Sequence, residues 1–263
     1  LSSYRVFQNE LTGNLDMSKV DYGSPFLCYG NPNLTGVTHS AKTSNTTTYS
    51  LYSCDITGHH DMSMIENLGG TFQIMSNSNL TGISHGYSNQ TFSLFRAYSC
   101  GLTGNYDVSM FPNLSGQFQV YFNPNLTGIT HTASTETITN YQINNCDITG
   151  THDISMLTGI DGDINLSNNS NLTEILFPSG VTTSLDASSC GFTDIDLTEI
   201  NLKSRCRVYN NTSLTGVTFT SSTETFQNVF TAESNWAFGL HNNAIGYADF
   251  YPLSGINMNT GAT

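Results

Sequence analysis

The sequence predicts a mainly β protein: a parallel β-solenoid of about ten to eleven rungs, with few or no helices. Three observations support this: a period of 23 residues, two apolar columns that share the period, and connections rich in Thr, Ser and Asn. An Asn or a Cys recurs at one position of nearly every repeat. We call these residues the ladder, which comprises Asn31, Cys54, Asn77, Cys100, Asn123, Cys146, Asn169, Cys190 and Asn211, and which Ser234 and Asn257 continue.

Apolar residues occur five and three positions before each ladder residue, as with Phe118 and Val120 before Asn123. Two apolar positions separated by one residue form the inward face of a short β-strand. Each repeat therefore supplies one strand, and we expect successive strands to stack in parallel. The connections, such as residues 40–48, have a composition that disfavours helix. Extended or irregular connections are therefore expected.

A further apolar residue follows each ladder residue and usually precedes Thr-Gly, as Leu126 precedes Thr127 and Gly128. With this position included, residues 118–126 and 95–102 resemble the leucine-rich repeat motif. The resemblance extends over about residues 4–257. It implies one leucine-rich-repeat-like solenoid, in which the frequent replacement of Leu by Phe and Tyr suggests a broad core.

Repeats alternate in pairs, so that Asn31, Asn77 and Asn123 follow one another at a superperiod of 46 residues. From about residue 174 the pattern diverges, and Trp236, Phe250 and Tyr251 lie near the end of the chain. Terminal repeats of solenoids diverge because they must cover the ends of the core. We therefore expect a single solenoid over residues 1–263, with regular repeats at about 4–173 and divergent repeats and a C-terminal cap at about 174–263.

The composition argues against several functions. A net charge of −13 with only 7 Lys plus Arg argues against binding nucleic acid or anionic membranes. There is no apolar run of about 18 residues, so we expect no membrane insertion. The sequence offers no phosphate-binding loop, catalytic triad or paired carboxylates in a cleft, so we expect neither an enzyme nor a cofactor. The chain begins at Leu1 without Met or signal sequence, so we expect a processed chain or a fragment.

The six cysteines are predicted to be buried free thiols. Ladder cysteines lie on alternate rungs, about 10 Å apart, since adjacent strands are about 4.8 Å apart. A disulfide needs Cα atoms within about 7 Å. Cys28 and Cys206 occupy inward positions far apart in the stack. The spacing also disfavours a metal site, and free thiols suggest folding in a reducing compartment. This suits a virus particle assembled in a cytosol, although a secreted bacterial protein stays open.

Acidic residues and histidines alternate at one repeated position after the ladder. The series is Asp16, His39, Asp61, His85, Asp107, His131 and Asp153. On a stack these side chains are expected to form one line, the Asp/His seam. Three interpretations stay open: a structural ladder of hydrogen bonds and charges, a pH-sensitive seam, and a row of metal ligands.

Residues two positions before the ladder are predicted to point outward from the sheet, and many are aromatic. The candidate ligand- or partner-binding residues on this exposed face are Tyr29, Tyr52, Met75, Tyr98, Tyr121 and Tyr209 at this position, together with Arg96 and Gln119, which flank it. Aromatic side chains give a large contact area at low entropic cost. The alternative is that the tyrosines only pack against one another across strands.

We therefore expect a non-enzymatic recognition or adhesion module that binds a cell-surface glycan or protein through this sheet. It would belong to a phage fibre or similar appendage, or to a bacterial surface adhesin. Its location would be extracellular, at a cell surface or at a virion surface. The alternative is a structural coat, decoration or spacer subunit that packs against neighbouring chains.

Overall fold

The protein is a parallel β-solenoid, seen in a computed structural model that describes residues 3–20, 22, 24–41, 45–218 and 238–239. Within these ranges it contains twenty-one β-strands, numbered here in chain order, and no helix. The predicted fold class is thereby confirmed. It follows that no helix in this part of the chain is long and apolar enough to cross a membrane.

Odd-numbered strands form one continuous sheet of eleven parallel strands, in the order of the chain. They are β1 (Tyr4–Phe7), β3 (Phe26–Asn31), β5 (Thr46–Cys54), β7 (Leu68–Gln73), β9 (Phe92–Arg96), β11 (Leu114–Gln119), β13 (Ile138–Gln142), β15 (Ile160–Asn165), β17 (Val181–Asp186), β19 (Ile200–Arg207) and β21 (Phe238–Gly239). Register is maintained from rung to rung, so that Tyr29 lies opposite Tyr52 and Phe118 opposite Tyr141.

Even-numbered strands form five separate two-stranded parallel sheets beside the main sheet. The pairs are β2 (Thr12–Met17) with β4 (Asn33–His39), β6 (Gly58–Met62) with β8 (Leu80–His85), β10 (Thr103–Asp107) with β12 (Asn125–Thr130), β14 (Gly150–Asp153) with β16 (Leu172–Leu176), and β18 (Asp194–Asp196) with β20 (Gly216–Thr218). From β6 onward each pair joins a Cys rung to the following Asn rung. The superperiod seen in the sequence is therefore a structural unit of two rungs.

The predicted inward positions fill a continuous core. Residues five before the ladder form a stack of rings from Tyr4 to Tyr141, with neighbouring centroids 4.7–5.9 Å apart. The apolar residues after the ladder, from Leu34 to Leu214, are fully buried as well. Burial of apolar surface is the main force that stabilises folded proteins, so the in-phase columns explain why the chain forms this solenoid.

Ladder asparagines satisfy the backbone where strand pairing stops. Asn123 is fully buried; its Oδ1 atom accepts a hydrogen bond from the N–H of Leu102 at 3.3 Å, and its Nδ2 atom donates to the carbonyls of Ala97 and Val120 at 2.9 and 2.7 Å. On the Cys rungs the thiol of Cys100 donates to the carbonyl of Ile74 at 3.2 Å. The predicted ladder thus connects neighbouring rungs.

The C-terminal part of the predictions cannot be compared with the structure. Ser234, Asn257, Trp236, Phe250 and Tyr251 all lie outside the described residues. The solenoid itself continues past the onset of sequence divergence at residue 174, through β16 to β20.

Candidate functional site

The solvent-facing side of the main sheet, called here the outer face, carries the predicted binding residues. Its most apolar part is a column that occupies the position two before the ladder, and we call it the aromatic column: Phe7, Tyr29, Tyr52, Met75, Tyr98 and Tyr121. These side chains are half-buried or exposed, whereas from Tyr29 onward the residue that precedes each in the chain is fully buried. Strand alternation, as predicted, directs them away from the core.

Neighbouring rings of the aromatic column lie face to face. Tyr29 stacks on Phe7 at 4.9 Å and on Tyr52 at 4.6 Å, with interplanar angles of 8° and 4°. Tyr98 stacks on Tyr121 at 4.4 Å and 8°. Most ring faces are therefore covered by other rings, and the column presents ring edges and hydroxyl groups to solvent.

The aromatic column ends abruptly at Tyr121. On the next rung the equivalent residue is Asn144, and Ser167 and Ser188 follow it. The backbone continues in register across this point, since the N–H of Phe122 donates to the carbonyl of Asn144 at 3.0 Å. Tyr98 covers only one face of the Tyr121 ring. This end of the column, with Tyr121, Phe122, Asn144 and Asn145, is called here the step.

Phe122 is the departure from the repeat that sequence reasoning missed. It is 50% exposed and lies against Tyr121, with centroids 5.4 Å apart and planes at 69°. Its φ is +54°, a left-handed conformation that costs roughly 1–2 kcal/mol for a residue with a side chain. On the other described rungs this position carries Gln8, Gly30, Ser or Asn, all with a positive φ as well. That column contained the signal, because a single Phe stands among turn-forming residues.

Beside the aromatic column runs a row of polar groups. The Arg96 guanidinium donates to Oε1 of Gln119 at 2.8 Å and to Oε1 of Gln117 at 3.1 Å. Gln119 in turn donates to Oε1 of Gln142 at 3.2 Å. The prediction that Gln119 is an exposed contact residue is wrong, because it is only 8% exposed and its amide is engaged between its neighbours. Arg96 and Gln142 remain accessible.

Toward the C-terminal strands the outer face becomes charged. Arg205 pairs with Asp163 at 3.5 Å and Arg207 with Asp186 at 3.4 Å. Tyr209, a predicted contact residue, is half-buried on this side and lies beyond Asn144, Ser167 and Ser188. The structure therefore groups Tyr29, Tyr52, Met75, Tyr98 and Tyr121 and leaves Tyr209 apart from them.

The predicted Asp/His seam is wrong. Asp16 lies opposite Thr38 and Met17 opposite His39; likewise Asp61 lies opposite Ser84. A shift of one residue moves a side chain to the other side of a strand. The aspartates Asp16, Asp61, Asp107 and Asp153 therefore face outward, and the histidines His39, His85 and His131 face the core.

The outward aspartates stabilise turns instead. The Oδ1 atoms of Asp16, Asp61, Asp107 and Asp153 each accept the N–H of a serine two residues later, at 2.9 Å. Such Asx turns end β2, β6, β10 and β14. The hydrogen bonds from Ser18 and Ser63 lower the pKa of Asp16 and Asp61.

The inward histidines bind tyrosine hydroxyls in the core, an arrangement that sequence reasoning also missed. The Nε2 atom of His39 lies 2.9 Å from the Tyr49 hydroxyl, which lies 2.9 Å from Nε2 of His60. The same pattern joins His131, Tyr141 and His152 at 2.8 and 2.7 Å. Each tyrosine hydroxyl can donate one hydrogen bond and accept another, so it can serve two neutral imidazoles.

In the pair of rungs between these two groups, a different tyrosine provides the partner of the buried histidine. Phe95 replaces the tyrosine and offers no hydroxyl, but Tyr106 replaces the second histidine and lies 2.6 Å from Nε2 of His85. Two residues thus change together. Every Nε2 atom of these buried histidines keeps a tyrosine partner.

Burial holds these imidazoles neutral. Desolvation lowers the pKa of His60, His85 and His131 to about 3 and that of His152 to about 4. The Nδ1 atoms of His85 and His131 are buried without a partner, so a protonated ring would leave a buried N–H unpaired. This geometry favours neutral imidazoles at His85 and His131.

All six cysteines are free and buried, as predicted. Desolvation raises the pKa of Cys100, Cys146, Cys190 and Cys206 to about 12. The adjacent Cys54 thiol and burial raise the pKa of Cys28. No group of three or more His, Cys, Asp or Glu in the described ranges could hold a metal ion.

Comparison of the chain with models of protein families, with curated proteins and with solved structures finds no match. The resemblance to leucine-rich repeats therefore rests on the sequence motif, and membership of that family is a proposal.

Proposed function

We propose that this protein is a non-enzymatic recognition or adhesion module, which binds a cell-surface glycan or protein through the outer face. The observation that supports this proposal is the aromatic column on a continuous parallel sheet. The rings are held by stacking and by the sheet beneath them. A surface that is ordered before binding loses little conformational entropy when a partner docks.

The column also differs from the remaining exposed apolar residues. Met64, Tyr87 and Leu176 are 49%, 59% and 40% exposed, but they lie singly outside the main sheet. Scattered apolar residues are normal on protein surfaces, whereas contiguous patches mark interaction sites.

Replacement of Tyr52, Tyr98 and Tyr121 by Ala tests this proposal. We expect the triple variant to lose binding to host cells while its thermal unfolding stays cooperative. The matched control replaces Met64, Tyr87 and Leu176 by Ala, which removes a similar apolar area elsewhere, and should bind as the wild type does. Unchanged binding of the first variant would contradict the proposal.

A second function, a structural subunit that packs against neighbouring chains, is favoured by the covered ring faces. A flat row of ring edges suits another flat protein surface. Sedimentation at micromolar concentration separates the two functions. A stable assembly that the three Tyr→Ala substitutions dissociate favours the structural subunit, and a free monomer favours recognition.

We also propose, from the free thiols and the uncharged polar surface, that the module belongs to a phage fibre or a bacterial surface adhesin folded in a reducing compartment. The intact mass of the native protein tests this. A longer unglycosylated polypeptide is expected, and N-linked glycans on the chain would contradict it.

A further inference from the structure

We propose that the step is a subsite for an uncharged pyranose sugar, with Tyr121 and Phe122 as the aromatic platform and Asn144 and Asn145 as hydrogen-bonding partners. This inference rests on the proposed recognition function and locates it at one point of the outer face. It also names the ligand class: neutral hexoses and N-acetylhexosamines.

The first argument is the geometry of the rings. A sugar ring packs its C–H groups against the face of an aromatic ring, and the edge of a ring does not offer this contact. Along most of the aromatic column neighbouring rings cover these faces. At the step Tyr98 covers one face of Tyr121, and the next rung carries Asn144 in place of a ring. Phe122 stands at 69° to Tyr121, so the two rings form a corner and do not extend the stack.

The second argument is the backbone at Phe122. A bulky residue with φ of +54° is an outlier that persists only where the surrounding structure imposes it. The repeat imposes this conformation, because the other described rungs have a positive φ here too, with Gln8, Gly30, Ser or Asn at the position and no other aromatic residue. Half of the Phe122 side chain is also left in water. One half of the ring packs near Tyr121, but backbone preference does not select Phe at this position, and a ligand that covers the exposed half would.

The third argument is the polarity around the corner. Asn144 and Asn145 are half-buried, and their side-chain amides make no hydrogen bond to another described residue. Gln142 and the Tyr121 hydroxyl lie on the same part of the face. Amides and hydroxyls donate and accept without charge, which matches the hydroxyl groups of a sugar.

Charge complementarity selects the uncharged class. The nearest cation, Arg96, is engaged by Gln119 and Gln117. Two strands further, Asp161 and Asp163 lie on β15, and the chain carries a net charge of −13. The positive charge of Arg96 acts on Tyr121, but the excess of negative charge over the whole chain disfavours an anionic sugar.

Saturation-transfer NMR with four probes tests the proposal: methyl glucoside, methyl galactoside, N-acetylglucosamine, and the anionic N-acetylneuraminic acid. We expect at least one neutral probe to receive saturation at its ring C–H protons, and the anionic probe to receive none. Phe122→Asn, which restores the residue type of other rungs, should weaken binding at least tenfold without lowering the melting temperature. Tyr87→Ala, which removes an exposed ring outside the main sheet, should bind like the wild type.

Each other outcome overturns the inference in a distinguishable way. If Phe122→Asn binds the sugar as tightly as the wild type, the location is wrong although recognition stands. If N-acetylneuraminic acid binds better than the neutral probes, the ligand class is wrong. If no probe binds but Tyr52, Tyr98 and Tyr121 are needed for cell binding, the recognition function survives with a protein partner. If the substitutions reduce neither sugar binding nor cell binding, both proposals are wrong.

Discussion

Tyr106 places its hydroxyl 2.6 Å from Nε2 of His85, at a core position where the neighbouring pairs of rungs carry His60 and His152. Tyr106 thus replaces a histidine of the neighbouring pairs. On the main sheet the replacement is reversed in character, because Phe95 lacks the hydroxyl that Tyr49 and Tyr141 supply there. The core therefore contains a polar network whose members depend on one another across the interior.

The acid stability of the protein should follow from its buried imidazoles. In the unfolded chain histidine titrates near pH 6.5, whereas the folded pKa is about 3 for His60, His85 and His131 and about 4 for His152. Below pH 6.5 the unfolded chain therefore binds more protons than the folded one. The free energy of unfolding is therefore highest above pH 6.5. Toward pH 4 it falls by up to about 1.4 kcal/mol per pH unit for each histidine.

Urea unfolding between pH 4 and 8 checks this expectation. Four histidines together give a slope of about 5 kcal/mol per pH unit, enough to unfold a typical domain within about two units. A flat profile between pH 5 and 7 would show that the buried rings are not held neutral.

These two replacements predict a coupled pair of substitutions. Tyr106→His alone should destabilise the protein by about 1–3 kcal/mol, because the Nε2 atom of His85 loses its partner in the core. Phe95→Tyr together with Tyr106→His recreates the arrangement around Tyr49 and Tyr141. The double variant should therefore be more stable than Tyr106→His. Thermal unfolding of both single variants and the double variant measures the coupling, and additive effects would argue against a shared network.

The two residue types of the ladder should differ in their contribution to stability. Asn123→Ala removes one hydrogen bond that the side chain accepts and two short ones that it donates. All three satisfy backbone groups, which lie on two rungs. We expect a cost of about 3 kcal/mol or more, since each buried group left unpaired costs about 1–3 kcal/mol. Cys100→Ala removes only weak thiol hydrogen bonds and should cost about 1 kcal/mol. Equal costs in urea unfolding would mean that the amide contacts contribute little.

The six thiols should be unreactive in the folded protein. All six are buried, and desolvation raises the pKa of Cys100, Cys146, Cys190 and Cys206 to about 12, which keeps the nucleophilic thiolate scarce at pH 8. We expect iodoacetamide to label no cysteine in native buffer and all six in urea, as read from the intact mass. Rapid native labelling of Cys28 or Cys54, which lie on adjacent rungs, would show that this end of the solenoid opens readily.

The periodicity of the sequence was sufficient to predict the fold. Phe118, Val120, Asn123 and Leu126 recur in phase, and spacing alone assigns inward and outward positions within a strand. The Asp/His seam failed because spacing does not fix register between strands. A bulge between Gly13 and Asn14 places Asp16 opposite Thr38, one residue from His39.

The candidate site was only partly accessible from sequence. Tyr52, Tyr98 and Tyr121 follow from alternation, but the stacking that hides their ring faces depends on side-chain rotamers. The contact between His131 and Tyr141 crosses the interior from one rung to the next, so strand patterns do not indicate it. Phe122 could have been noticed, because it breaks a column of small turn residues.

The pairing of even-numbered strands has a consequence for how this protein can change in length. Inserting one 23-residue repeat would place two rungs of the same type together and leave a histidine without its tyrosine. Inserting the 46 residues that separate Asn77 from Asn123 would preserve every such contact. Duplications and deletions in this protein should therefore be tolerated when they add or remove two rungs at a time.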